Sequence, residues 1–185
     1  MRLKPVVFLM SAVALVALIG FFIKAAIGVR ETEAGGQVRF VEYKRVEVGQ
    51  LAPDFGAQDV HKNEFVLSKL GKIKVVNFWA SWCGPCIQEM PSMAAVAKEK
   101  AEQIELVAIS CDDREKDYRQ ALNLVPSFKD SGIRIVFDPS KKLMSAYGVK
   151  GLPETFIIGS DGKLIKKIVG SLDWLSLPDD FFEKP

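Results

Sequence analysis

Hydrophobic and polar positions divide the chain into one long apolar run and a series of shorter, patterned stretches. Val6 to Ile23 holds nothing more polar than Ser11 and Gly20 and lies between Lys4 and Lys24. At a helical rise of about 1.5 Å per residue this run spans roughly 27 Å, close to the hydrocarbon thickness of a bilayer. The pattern predicts a transmembrane helix within an anchor over residues 1–28. A cleavable signal peptide is the rival, but its apolar part is usually about 7–15 residues long and ends at an A-x-A-like site. Ala26 and Ala34 are the nearest approaches to such a site. Residues 29–48 read as a linker hinged at Ala34-Gly35-Gly36, in which Val38 to Val48 is a tether or an edge strand. A folded domain over 49–185 follows.

Within that domain the period alternates between that of strands and that of helices. Lys74 to Ala80 is apolar on both faces except at Asn77, as in a central strand of a parallel sheet. Met90, Met93, Ala94, Ala97 and Ala101 then recur at helical spacing, with Pro91 inside the pattern and expected to kink it. Ile104 to Ser110 is a second buried strand, and Asp112 or Asp113 is placed to cap a helix carrying Tyr118, Ala121 and Leu122, which should stop by Pro126. Asn123 to Gly132 is irregular. Ile133 to Phe137 is a third strand, and Lys141 to Tyr147 a short helix ended by Gly148. Glu154 to Ile158 and Lys163 to Val169 flank Gly159-Ser160-Asp161-Gly162, a hairpin signal. Strands alternating with helices and closing in a hairpin predict an α/β fold, a mixed β-sheet sandwiched by helices. After Trp174 the sequence shows no long helix, which leaves one sheet face thinly covered or Phe181 and Phe182 docking on something.

Composition narrows the function. The net charge of +2 is small and the basic residues are dispersed, which argues against nucleic acid as a partner. Positive charge is nearly balanced across the apolar run, but the short N-terminal stub would stay inside more naturally, sending the domain across the membrane. There are three cysteines, too few for a structural disulfide framework. Cys83 and Cys86 are spaced C-x-x-C, and Cys111 stands alone.

Thiol–disulfide exchange needs one thiolate that attacks and a second thiol close enough to resolve the mixed disulfide. C-x-x-C across the first turn of a helix supplies both. Cys83 would sit at the helix N-terminus, where the macrodipole favours its thiolate. Cys86, one turn further in, is the resolving partner, and Pro85 fits a first turn that has no use for its missing N–H. A zinc or copper site needs further ligands, for which Cys111 and His61, the one histidine, are the only candidates and are far apart. The reading is therefore redox, with no metal and no cofactor. Cys111 ends a strand at the sheet edge that should carry the site, so a reactive third thiol is one option; a buried, inert cysteine is the commoner outcome.

Phe78-Trp79-Ala80-Ser81-Trp82-Cys83-Gly84-Pro85-Cys86 resembles the active-site segment of the thioredoxin superfamily. Gly49 to Phe55 is similar to the opening of the TlpA/ResA/CcmG (DsbE) branch, and Tyr147 to Phe156 to its cis-proline segment. The resemblance implies a thioredoxin fold behind a membrane anchor, with Pro153 as the cis-proline facing the redox pair. Cytoplasmic thioredoxins carry a buried aspartate where this chain has Asn77. This branch instead places a glutamate three residues after the second cysteine, and Glu89 matches it; on residue type alone a solvated helix-face carboxylate is the usual outcome. Glu154 matches the CcmG-like pattern and either makes the groove acidic or sits on the surface. Trp82, Gly84 and Pro85 would border the substrate groove, and Trp79 would pack the core.

The implied activity is that of an extracytoplasmic protein-disulfide reductase at the cytoplasmic membrane. Its client would be a disulfide-containing protein such as apocytochrome c during cytochrome c maturation. Electrons would return from a membrane thiol donor of the DsbD/CcdA kind. The alternatives are a dithiol oxidase or isomerase, and a non-enzymatic copper-handling or oxidase-assembly scaffold.

Overall fold

The computed structural model describes residues 46–183, so the anchor and all but the end of the linker lie outside the described residues. Among the described residues no helix is long and apolar enough to cross a membrane.

The folded part opens with a small antiparallel hairpin, β1 (Gly56–Gln58) and β2 (Glu64–Val66). The main sheet then takes its strands in turn: β3 (Ile73–Trp79), β4 (Ile104–Ser110), β5 (Arg134–Phe137), β6 (Glu154–Ile158) and β7 (Leu164–Val169). Helix α1 (Gly84–Glu99) links β3 to β4, and α2 (Glu115–Leu124) and α3 (Pro126–Lys129) link β4 to β5. Helix α4 (Lys142–Ala146) precedes β6. The strand order is β5-β4-β3-β6-β7, with β3, β4 and β5 parallel and the β6–β7 hairpin antiparallel beside β3. This is the mixed, helix-covered sheet of the thioredoxin fold.

The period of two in β3 sorts its side chains to two separate cores. Val75 and Trp79 face a cluster built with Met90, Met93 and Ala94 of α1, Tyr118 and Leu122 of α2, and Phe128 of α3. Val76 and Phe78 face the other cluster, with Phe55, Phe65, Leu143, Tyr147 and Phe156. Val46 is already buried in that second cluster, and residues 46–48 form no strand. Helix α1 runs as one element through Pro91.

Two local expectations are corrected and a third is decided. Neither Asp112 nor Asp113 caps α2, whose N-cap is Arg114 with no side-chain cap bond; Asp113 instead pairs with Lys141 at 2.6 Å. The irregular stretch after Asn123 contains α3, started by Pro126, whose Phe128 is fully buried beside Trp79 with ring centroids 6.1 Å apart. The tail decides between its two options. Trp174, in a 3-10 turn over Trp174–Ser176, and Phe182 are both buried in the α1-side cluster. Individual aromatics pack there, and the docking option for Phe181 and Phe182 holds.

Candidate active site

The parallel strand β3 delivers the chain to Ala80, and the turn over Ser81 and Trp82 leads into α1. Cys83 is the N-cap of that helix, in extended conformation, with Pro85 in the first turn. Its sulfur accepts the Cys86 N–H at 3.3 Å. Cys83 and Cys86 are joined as a disulfide with Cα atoms 5.3 Å apart. Exposure separates their roles: Cys83 is 6% exposed and Cys86 1%. Trp82 stands out at 71% exposed, and Gly84 and Pro85 are also exposed, so the rim around the outer sulfur is open to a partner chain. Trp79 is buried, as a core residue should be.

The Leu152–Pro153 bond is cis. Pro153 immediately precedes β6, whose Glu154 pairs with Phe78 near the C-terminal end of β3, so the topology brings it to the edge where β3 hands over to the redox pair. Its carbonyl accepts the Gly170 N–H at 2.9 Å.

Glu89 is the buried acid of the redox helix. It lies one helical turn after Cys86 on the same face and is 4% exposed. Its Oε1 accepts from Asn77 Nδ2 at 3.1 Å. Its Oε2 accepts from the Leu172 N–H at 2.9 Å and the Trp174 indole N–H at 3.4 Å. Asn77 also donates to Thr155 Oγ1 at 3.0 Å, which ties β3 and β6 to the helix. Burial pushes the Glu89 pKa up, and the donors at Leu172, Asn77 and Trp174 oppose that shift without cancelling it. The solvated helix-face reading of Glu89 does not hold.

Glu154 corrects both earlier readings, since it is neither a groove acid nor a surface residue. At 2% exposed, it turns back to accept the Lys150 and Gly151 N–H groups at 3.0 and 3.3 Å. Lys167 Nζ lies 2.9 Å from its Oε2 as an ion pair, off hydrogen-bond alignment. Glu154 therefore fixes the backbone that leads into Pro153. Cys111 is free and buried, and its thiol is pushed up to about 12, chiefly by burial, with Asp138 adding to the rise. It is inert rather than a third redox thiol.

Asp112 is the site residue that sequence reasoning misread as a cap. It is 1% exposed and reaches across to the redox loop. The Ser81 N–H donates to both its carboxylate oxygens at 3.1 Å, and the Ser81 hydroxyl to Oδ1 at 2.6 Å. The Ser110 hydroxyl donates to Oδ2 at 2.8 Å. Asp112 thus pins the turn that presents Trp82 and Cys83. An acid two residues after a buried strand was the only signal, and helix capping was the local use for it.

A family profile described as Redoxin matches residues 47–178. The chain belongs to the Redoxin family. Within it, this Redoxin chain is 33% identical to the thiol-disulfide oxidoreductase ResA of Bacillus cereus over 133 residues, covering 71% of this chain and 75% of the relative. It is 31% identical to ResA of Bacillus subtilis over 137 residues, covering 72% and 73%. A solved structure from Chlorobium tepidum, provisionally assigned as the thiol:disulfide interchange protein DsbE, matches with a TM-score of 0.61 and 36% identity. That match covers 69% of this chain and 88% of the other. The chain is a thioredoxin-superfamily protein of the TlpA/ResA/CcmG-like kind and a thiol–disulfide oxidoreductase, with Cys83 and Cys86 as its redox pair.

Proposed function

We propose that this oxidoreductase works as a reductase of disulfides in extracytoplasmic client proteins. Residues 6–23 would hold it at the cytoplasmic membrane. The observation that carries the reading is the buried Glu89 beside Cys86. A pair that starts as a dithiol must deprotonate its inner thiol before that thiol can resolve the mixed disulfide. Glu89, itself buried, would supply an acceptor for that proton on the same helix. The Gly-Pro dipeptide between the cysteines supports the same direction, being the more reducing choice.

The reaction begins with the Cys83 thiolate attacking a client disulfide, which forms a mixed disulfide and releases one client thiolate. Cys86 gives its proton to Glu89, attacks the Cys83 sulfur and expels the second client thiolate. The client gains two electrons and leaves with two thiolates that take their protons from solvent, Glu89 gives its proton back to solvent, and the pair is left as the disulfide of the present structure. A membrane thiol donor of the DsbD/CcdA kind would restore the dithiol. Apocytochrome c is the client we favour, because the Gly151-Leu-Pro-Glu-Thr-Phe156 segment resembles that of the CcmG (DsbE) subgroup, which acts in cytochrome c maturation. Thiol trapping in intact cells tests the direction. The pair should be mostly reduced at steady state and become oxidised when the donor is removed. A pair found oxidised in donor-competent cells would defeat the reductase reading.

A further inference from the structure

Glu89 is completed by a part of the chain far from the redox motif. Two of its three donors, the Leu172 amide and the Trp174 indole, come from the segment that follows β7 and folds back against α1. Both act on Oε2, while Asn77 alone serves Oε1. The carboxyl is thus gripped from two sides, by the sheet through Asn77 and by the C-terminal segment. Trp174 is 1% exposed, and a buried indole N–H needs an acceptor; Glu89 is the one it has.

We propose that the segment Leu172–Trp174 is a positioning element for the proton chemistry of the redox pair, with the Trp174 indole setting how readily Glu89 accepts the proton of Cys86. This rests on the reading of Glu89 as that proton acceptor. The donors of the cage are neutral, so they stabilise the carboxylate through directed bonds and not through net charge. The elements packed around the carboxyl offer Cys86 from α1, Asn77 from β3, Thr155 from β6, and Leu172 and Trp174 from the C-terminal segment. Of the charged groups on or beside those elements, Lys98 and Glu99 of α1 are exposed and the rest are engaged elsewhere. Lys74 Nζ donates to the Gly159 and Ser160 carbonyls. Glu154 holds Lys150, Gly151 and Lys167. Lys166 donates to the Phe181 carbonyl, and Asp173 accepts from Ser176. No charged side chain figures among the causes of the Glu89 shift. Removing one directed donor should therefore act on Glu89 without a competing charge to mask it.

The step affected is resolution. The Cys86 proton passes to Glu89, the Cys86 thiolate forms the intramolecular disulfide with Cys83, and the leaving thiolate departs with the electron pair of the broken bond. An aryl disulfide such as dithionitrobenzoate separates this step from the first. The initial release of thionitrobenzoate reports Cys83 attack, and the second reports resolution by Cys86. In the full chain, Trp174→Phe keeps the ring and removes the N–H. The midpoint of the pH profile of the second phase should rise by about one unit, the scale of one hydrogen bond to a charged acceptor. Trp174→Phe made in a Glu89→Gln background should leave the second-phase profile where Glu89→Gln alone puts it. A Glu89→Gln protein with the wild-type profile would remove the underlying reading of Glu89. A lost inflection in Glu89→Gln beside an unmoved midpoint in Trp174→Phe overturns the role of Trp174 alone. The wild-type chain gives a check that needs no substitution. The Trp174 indole N–H resonance should titrate with the same midpoint as the Glu89 carboxyl carbon, and an indole signal flat through that transition overturns the proposal.

Discussion

Replacing Asp112 by alanine tests how firmly the second parallel strand holds the redox loop. The carboxylate takes the Ser81 N–H, the Ser81 hydroxyl and the Ser110 hydroxyl. Hydrogen bonds to a charged group are worth about 1.5–3 kcal/mol each, and a donor left buried without a partner costs about 1–3 kcal/mol. Ser110 is fully buried, so its hydroxyl has no water to turn to, whereas Ser81 is half-buried and recovers part of its loss from solvent. Removing a buried carboxylate also saves its desolvation, which offsets some of the loss. The net expectation is a destabilisation of about 3 kcal/mol, below the simple sum of the bonds because they share one acceptor group. With a urea dependence of about 1–3 kcal/mol per molar, the unfolding midpoint of the oxidised protein should fall by roughly 1–3 M. Asp112→Asn keeps one carbonyl oxygen for Ser81 and can donate to the Ser110 hydroxyl, so it should lose well under half as much. Equal midpoints for wild type and Asp112→Ala, at unchanged slope, would refute the argument that Asp112 secures the loop. An asparagine variant as damaged as the alanine one would show that charge, rather than geometry, holds it.

Two other expectations follow from buried titratable groups. Burial raises the Glu89 pKa in the folded chain above its unfolded value. Its contribution is therefore fully present below the ordinary carboxylate range and is lost as pH rises through the native pKa. Glu89→Gln should gain on the wild type across that window with a slope of about 1.4 kcal/mol per pH unit for one proton, read by urea unfolding at several pH values; a difference that shrinks with rising pH refutes it. Cys111, with a thiol pushed up to about 12, should resist iodoacetamide in the native reduced protein at pH 8 while Cys83 is alkylated, and should react once urea unfolds the chain. Peptide mass spectrometry showing native labelling at Cys111 would contradict its burial.

What could be read from the sequence was whatever depends on near neighbours or on a matched motif. The strand Ile104–Ser110 and the hairpin across Gly159–Gly162 follow from apolar runs and turn residues, and both are found. The redox helix was read from helical spacing, the cis bond before Pro153 and the buried acid at Glu89 from the resemblance, and each is in place. The misreadings come from partners that a local pattern does not reveal and from elements too short to show a period. Asp112 looked like a cap because the helix was the nearest use for it, yet its partner Ser81 lies 31 positions earlier. Glu154 was undecided because strand alternation does not say which acid turns back upon its own approach loop. The tail had no helical period, since Trp174 and Phe182 fill separate gaps as single aromatics. The β1–β2 hairpin went unseen because three-residue strands are too short to show a period.

The grip on Glu89 spans 83 positions of chain, from α1 to Leu172. A polypeptide still emerging in the N-to-C direction therefore carries both thiols long before it carries the donors that finish their acid. Any chain ended before Leu172, by a nonsense codon or a protease, would keep the C-x-x-C motif and leave the Glu89 carboxyl with Asn77 as its one remaining donor. Such a fragment would still react with thiol reagents. The reactivity of its cysteines would then be a poor gauge of whether the enzyme is whole.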